Sequence, residues 1–457
     1  MSDQLNELVK FINSYLWGIP MIVALMGTHI YLTFRLRFPQ RHIFKAIKLS
    51  VQKDKDSTGD VSQFSALATT LAGTIGTGNI VGVATAITLG GPGAVFWCWT
   101  TGLLGISTKY AEGLLAVKYR VQTRDGKMLG GPMYAIERGM KCKWLACVFA
   151  ALTAITSFFI GNTIQCNSIS TILEKSYGID TFYTGIVLAA LTLAVIIFGV
   201  KGIARVCESL VPFMAVIYVL GCIWLLCINH TYILPALGAI FKGAFTTQAA
   251  GGGFVGSTIM ISMRYGIARG LFSNESGMGS APIVAAAART KNPVRQALVS
   301  STSTFWDTVV ICAITGIVLV SSIIAHPHID SSAGATLTEV AFHEIPYVGS
   351  LVLTIGIVTF AFSTILGWSY IGEKALEYLM GKKARIYYRI LWVIATYIGS
   401  VTAIELVWNF GDLTNALMAI PNIIVILALT HVVVKETRKY LWEGKLDEDS
   451  NDETPVV

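Results

Sequence analysis

The chain has 457 residues, of which 54% are hydrophobic and 13% charged, with a mean hydropathy of +0.63. A soluble domain carries about twice that charged fraction, so a water-soluble globule of this length is excluded for want of a polar coat. The formal net charge of +7 would suit nucleic acid in a soluble protein, but here the positive residues sit in short loops between apolar runs, which points to a membrane face and no nucleic-acid partner.

The apolar runs predict an all-α polytopic membrane protein of about 11 spans, each near the roughly 20 residues needed to cross the hydrocarbon core. A leading helix is expected at 11–34. Helices one to ten are expected at 61–89, 93–117, 143–173, 181–200, 205–228, 252–288, 296–324, 346–372, 386–403 and 411–434. The leading run, Phe11 to Phe34, exceeds a signal-peptide core, and no small-residue cleavage site follows it. Between helices five and six, Ile233, Leu237, Ile240 and Phe241 repeat with the period of a short interfacial helix. The acidic stretch after Trp442 (Asp447, Glu448, Asp449, Asp452, Glu453) reads as a disordered tail. The cysteines, Cys98, Cys166, Cys222, Cys227 and Cys312 among them, lie mostly inside apolar runs and read as small buried residues rather than a disulfide or zinc framework.

Lys and Arg alternate from loop to loop in step with this count. Residues 35–60 and 118–143 are rich in them, as are the segments around Lys201, Arg289, Lys382 and Arg438, while the intervening loops are nearly empty. One side collects 28 of the 34 basic residues. By the positive-inside rule the N-terminus is outside, the C-terminus is cytoplasmic, and the chain sits in the cell membrane with an odd number of crossings.

Two spans contain sequences that do not suit an unbroken helix. In helix one, Ala72-Gly73-Thr74-Ile75-Gly76-Thr77-Gly78-Asn79 places glycines on different faces, so unwinding fits better than close helix packing. In helix six, Gly266 to Pro282 holds a polar, glycine-rich stretch around Ser273-Asn274-Glu275-Ser276-Gly277. The two breaks are five spans apart and, by the charge map, the helices run in opposite directions. This is the signature of a 5+5 inverted repeat with discontinuous helices one and six and a ligand site at the breaks. The chain then divides into an accessory leading helix with its basic loop (1–60), a first repeat (61–228), a second repeat with the external helix (229–434) and a cytoplasmic tail (435–457).

A broken helix suits a zwitterion. The amides of Thr77, Gly78 and Asn79 begin the second half of helix one, where the helix dipole favours a carboxylate. The carbonyls from Ala72 through Thr74 to Ile75 end the first half and suit an ammonium. In helix eight, Ser363 and Thr364 either bond back to their own helix or supply hard oxygens to a cation, and Trp368 shares a face with Thr364, so that a hydroxyl and an aromatic lid over the substrate flank one cavity. In helix three, Asn162 and Gln165 share a face and serve either interhelical bonding or a ligand. Lys109 and Glu112 read as an internal pair. Glu275 caps a half-helix, pairs with Arg264 or Arg269, or senses a cation, and structural pairing is preferred.

Three segments together, Gly76-Thr77-Gly78-Asn79, Gly90 to Trp99 and Asn274 to Pro282, resemble the alanine or glycine:cation symporter family over about 60–435. The resemblance implies the leucine-transporter-type fold and sodium-driven import of alanine or glycine. It assigns Thr77 and Gly78 to the substrate carboxylate and Ser363 and Thr364 to sodium. The carbonyls of Ala72, Ile75 and Phe360 join that ion, and Asn79 matches a side chain that binds a second sodium in some relatives. Gln165 and Ser273 to Gly277 are expected substrate contacts. A channel would show a filter motif or ligand rings, and an intramembrane enzyme a hydrolytic motif; neither is present. A proton-coupled transporter of the same fold, relaying through Glu275 or Asp307, is the nearest alternative.

Overall fold

The computed structural model describes residues 2–52, 57–247, 254, 257–326, 329, 334–402, 405–450 and 453–457. Lys53, Lys55, Asp452, the first residues of the 252–288 span and position 403 of the ninth helix lie outside them. The fold is helical throughout, apart from a small hairpin of β1 (Val121–Gln122) and β2 (Met128–Leu129).

The N-terminal region is α1 (Ser2–Leu16) followed by α2 (Ile19–Arg35), bent by 41°. The expected leading helix therefore starts earlier and turns at Trp17-Gly18, where Pro20 withholds a backbone donor from the helical ladder. After α3 (Ile43–Ser50) comes helix one, in two pieces. Ser62 caps α4 (Gln63–Thr74) by accepting the Ser65 amide at 3.0 Å. Ile75 is extended, and the helix resumes as α5 (Gly78–Gly90), bent by 51°. The expected break is present.

Next follow α6 (Gly93–Lys118), α7 (Lys143–Tyr177), α8 (Thr181–Ile196), α9 (Gly199–Ile228) and α10 (Ile233–Phe245), the short helix expected between helices five and six. Helix six is α11 (Ile259–Asn274), a six-residue irregular stretch, and α12 (Ala281–Ala285). The chain then builds α13 (Pro293–Ala325), α14 (Leu337–Phe342), α15 (Gly349–Met380), α16 (Ala384–Val401), α17 (Glu405–Ala428) and α18 (Thr430–Thr437).

Among the described residues, 5 helices are long and apolar enough to cross a membrane, or 7 if each bent pair is one span. That is short of the expected eleven for chemical reasons. α6 carries Lys109 and Glu112 in its interior, α16 carries Arg385 and Arg389, helix six is cut in two, and α8, though apolar, has only 16 residues. The second half of helix six is shorter than expected, because after α12 the chain leaves the helix to pair with the segment before α4. Asp60 donates to Ala287 O (2.8 Å), and Arg289 donates to Val61 O (2.8 Å). Arg120, at the end of α6, locks this junction by donating to the carbonyls of Ala286, Ala288 and Thr58.

α11 packs on α6 and α5, and α13 on α6. The closeness is permitted by Gly266 and Gly270, where a Cβ would lie 2.3 Å from Ala94 O and 2.3 Å from Thr101 Oγ1. The tail, expected to be disordered, is instead bound to the basic side. Leu446 is buried, Asp447 pairs with Arg295 at 2.6 Å, Asn292 donates to Leu446 O and Glu448 O, and Val456 bridges Gln122 beside the hairpin. One ion pair, Asp447 with Arg295, and several bonds to tail carbonyls, from Asn292 and Lys291, hold the segment in place.

Candidate substrate and cation site

The break in helix one brings α4, α5, α7, α11 and α15 to one small cavity of about 10 Å³, room for roughly one water. Gly73, Thr74, Gly76 and Gly78 form one wall, with Ile160, Gln165, Phe272, Glu275 and Thr364 around them. The glycines are required by close approach. A Cβ on Gly76 would lie 2.6 Å from Thr364 Oγ1, and one on Gly78 would lie 3.2 Å from the Phe272 ring.

On the α15 side of the break, oxygens converge. Ser363 Oγ lies 3.2 Å from Ala72 O and 2.8 Å from Phe360 O. Thr364 Oγ1 lies 3.4 Å from Ile75 O and 3.0 Å from Phe360 O. These are two hydroxyls and three carbonyls, all buried, from two elements. The back-bonding the sequence offered for these hydroxyls is present at Phe360 O, and the same two hydroxyls also reach the carbonyls of the helix-one break.

The amide side of the break is equally specific. Thr77 is fully buried and its hydroxyl has no partner among the described residues. Its N–H lies 3.5 Å from Gln165 Oε1, while Gln165 Nε2 donates to Ile160 O at 3.0 Å. That carbonyl lies in a wide turn of α7 (Phe159–Thr163), where the normal ladder is relaxed. Asn162, on the same face in sequence, turns away and donates to Trp392 O. Thr74 bonds back to Thr70 O.

Asn79 sits beside this cavity rather than in it. Its Oδ1 accepts the Gly76 amide (2.9 Å), and its Nδ2 donates to Asp307 Oδ1 (2.8 Å). Ser273 and Thr308 hydroxyls donate to the other Asp307 oxygen at 2.9 and 2.6 Å. Asn79, Ser273 and Asp307 thus tie the breaks of helices one and six to α13. Asp307 was visible in the sequence as a charge within a span, but nothing there paired it with Asn79, which is 228 positions away.

Glu275 ends α11 in the left-handed region (φ 54°), a conformation uncommon for a residue with a side chain. It lines the cavity, yet its carboxylate is held from behind by Trp368 Nε1 (3.1 Å) and by the Ser280 hydroxyl. The expected pairing with Arg264 or Arg269 is not found. Arg264 donates to Ser14 O, and both arginines line an outer cavity of about 240 Å³ with Lys10, Trp17 and Asp412. Phe272 is common to both cavities and stacks on Trp408, so it separates the outer space from the inner one. Trp368 is not in the inner cavity wall; the base of its side chain abuts Gly161, where an added Cβ would lie 2.2 Å from the Trp368 Cβ.

The rest of the helix-six break is braced by α6. Glu112 Oε1 accepts the amides of Gly277 and Gly279, both at 3.1 Å, and the Asn422 amide at 2.6 Å. Lys109 lies 3.8 Å from Glu112 and donates to Glu275 O at 3.0 Å. The pair expected from their spacing exists, and its larger task is to satisfy the carbonyl and amides that the break exposes. Asn274 donates to Thr101 and accepts from the Ser276 amide, and Ser276 meets Thr304. Asn274, Ser276 and Gly277 therefore hold the loop, and of the 273–277 stretch Glu275 alone lines the cavity.

The sequence profile of the sodium:alanine symporter family matches residues 2–454. The chain belongs to that family. The symporter is similar to the sodium/alanine symporter AgcS of Methanococcus maripaludis, with 49% identity over 442 residues covering 95% of this chain and 97% of that protein. It is also similar to the amino-acid carrier protein AlsT of Bacillus subtilis (33% identity, covering 97% and 94%). In fold it resembles the crystal structure of MhsT in complex with L-phenylalanine, with TM-score 0.60 and 14% identity over 81% of this chain and 89% of MhsT. The symporter is therefore a cation-coupled amino-acid transporter of leucine-transporter-type fold, a multi-pass membrane protein and not an enzyme.

Proposed function

We propose that the symporter imports a small neutral amino acid, alanine or glycine, driven by sodium, by alternating access around the break in helix one. One observation carries this reading: five buried neutral oxygens, from Ala72, Ile75, Phe360, Ser363 and Thr364, converge one residue from the amides that begin α5. Such a set of hard oxygens suits a monovalent cation. The adjoining helix start, with Thr77 and Gly78, suits a carboxylate, and the carbonyl end of α4, near Thr74, suits the ammonium. Glycine walls and the Phe272 ring leave space for a hydrogen or methyl side chain once these groups part to admit the ligand.

The residues take distinct roles in this proposal. Thr77 and Gly78 hold the carboxylate, and Gln165, which already reaches the Thr77 amide, positions it. Glu275 closes the pocket, held by Trp368. Asn79, with Asp307 and Ser273, is the candidate second sodium site, which requires the Asn79 amide to turn its oxygen toward the ion. The outside N-terminus, the cytoplasmic tail and the division into repeats at 61–228 and 229–434 belong to the same proposal. Proton coupling is disfavoured by the full hydrogen bonding of Glu275 and Asp307 within the protein. The deciding experiment is uptake of labelled alanine, glycine and leucine into proteoliposomes with and without a sodium gradient. Sodium-dependent accumulation of alanine or glycine but not leucine is expected; accumulation driven by a proton gradient alone would overturn the assignment.

A further inference from the structure

On the flank of α4 away from α6, an open groove of about 560 Å³ runs between α4, α9, α13 and the end of α3. Leu67, Leu71 and Ile75 line it from α4, Pro212 and Val216 from α9, and Trp306 from α13; among the described residues Ser50 is the single hydrophilic one in the wall. Pro212 and Val216 are exposed, so the groove opens to the surface that lipid covers.

An acyl chain gains nothing from the hydrophobic effect by leaving neighbouring lipid for an apolar groove. What distinguishes one lipid from another is the charge at the groove's mouth, and this mouth is positive. α3 contains Lys45 and Lys48 and no acidic residue, and both lysines are exposed. Ile47 and Val51, next to Lys48, are in the groove wall. Phe44 and Val51 are 79% and 65% exposed, as expected of a helix lying in the membrane interface. On the facing wall, exposed Arg205 lies seven residues before Pro212, hence on the same helix face and about 10 Å toward the basic side. The neighbouring carboxylate of Glu208 is turned to the Ser65 hydroxyl.

We propose that this groove holds one anionic phospholipid of the basic-side leaflet, its chain against α4 and its headgroup between Lys48 and Arg205. The site touches the transport machinery at two points. Ile75, whose side chain lines the groove, also supplies a carbonyl to the oxygen cluster, and Trp306 precedes Asp307. The lipid therefore packs the half-helix that ends at the break, and its loss slows uptake.

The test uses the full-length protein, stripped of lipid in detergent and weighed as an intact complex after adding phosphatidylglycerol or phosphatidylcholine. The wild type is expected to retain one phosphatidylglycerol at least tenfold more tightly than phosphatidylcholine. Ala215→Phe, which fills the groove, is expected to lose that bound lipid. Lys48→Gln with Arg205→Gln, both at exposed positions, is expected to bring the ratio near one. Equal retention of the two lipids by the wild type, or an undiminished preference in the Lys48→Gln/Arg205→Gln protein, overturns the proposal. If Ala215→Phe does not fold, the charge pair decides alone.

Discussion

The oxygen cluster makes the sharpest prediction. Ser363→Ala and Thr364→Val each delete one of the two hydroxyls among the five oxygens. A hydrogen bond or contact to a charged group contributes about 1.5–3 kcal/mol, and about 1.4 kcal/mol is tenfold in affinity. Each single change should therefore raise the half-saturating sodium concentration by roughly 10- to 150-fold. The double change should exceed either single one without multiplying them, because adjacent groups on one ion do not add independently. Thr364→Ser keeps the oxygen and should stay near wild type. The assay is the initial rate of labelled alanine uptake into proteoliposomes against external sodium, with thermal stability measured in parallel. If the hydroxyls served only to back-bond Phe360 O, their removal would cost at most about 1 kcal/mol of stability each and leave sodium dependence unmoved. A half-saturating sodium concentration within twofold of wild type in the folded double variant would refute the ion assignment.

Thr77→Val removes a buried hydroxyl that has no partner among the described residues, so stability should hold or rise while alanine affinity falls about tenfold, measured by ligand-dependent thermal shift. Glu112→Gln leaves the Gly277 and Gly279 amides sharing a neutral oxygen beside Lys109, and breaking a buried pair costs about 3–5 kcal/mol. A melting temperature unchanged by Glu112→Gln would mean the brace is not structural. Arg120→Ala frees the carbonyls of Ala286, Ala288 and Thr58 and should raise thiol labelling at Thr58→Cys several-fold from the basic side. An unaltered labelling rate would contradict the role of Arg120 in locking the junction between the segment after α12 and the segment before α4.

What could be read in advance divides by distance along the chain. The helix-one break was legible because Gly73, Gly76 and Gly78 fall within one turn and a half, and no single helix face can use them all. The Ser363-Thr364 pair was legible as chemistry, though not its partners: the Ala72 and Ile75 carbonyls that lie 3.2–3.4 Å from the two hydroxyls belong to a segment 291 and 289 positions away. The partners of Glu275 were not legible. Arg264 and Arg269 are close in sequence and invite pairing, yet the helix turns both toward the outer cavity, and Trp368 reaches Glu275 from 93 positions away. The brevity of α12 was hidden for a similar reason. Nothing local stops a helix after Ala285; the backbone pairing with Asp60 and Val61 does. In the tail, composition argued for disorder because the groups that hold it, Lys291, Asn292 and Arg295, belong to another loop.

Coupling follows from the shortness of the break. Ile75 offers its carbonyl to the oxygen cluster, Gly76 its amide to Asn79, and Thr77 its amide to Gln165, three consecutive residues serving three neighbours. A peptide unit is rigid and planar, so the carbonyl of Ile75 and the amide of Gly76 lie in one plane and must turn together. On the proposed assignment, an ion that fixes the Ile75 carbonyl thereby fixes the amide that aligns Asn79, and restricts the next peptide, whose N–H points to Gln165 Oε1 and is assigned to the substrate carboxylate. Substrate held at Thr77 restrains the same planes from the other direction. The influence must be equal both ways, because a coupling free energy belongs to the pair of sites and not to either. Gly76 is what lets these planes come so close to Thr364; any Cβ there would push the oxygens apart before either ligand arrived.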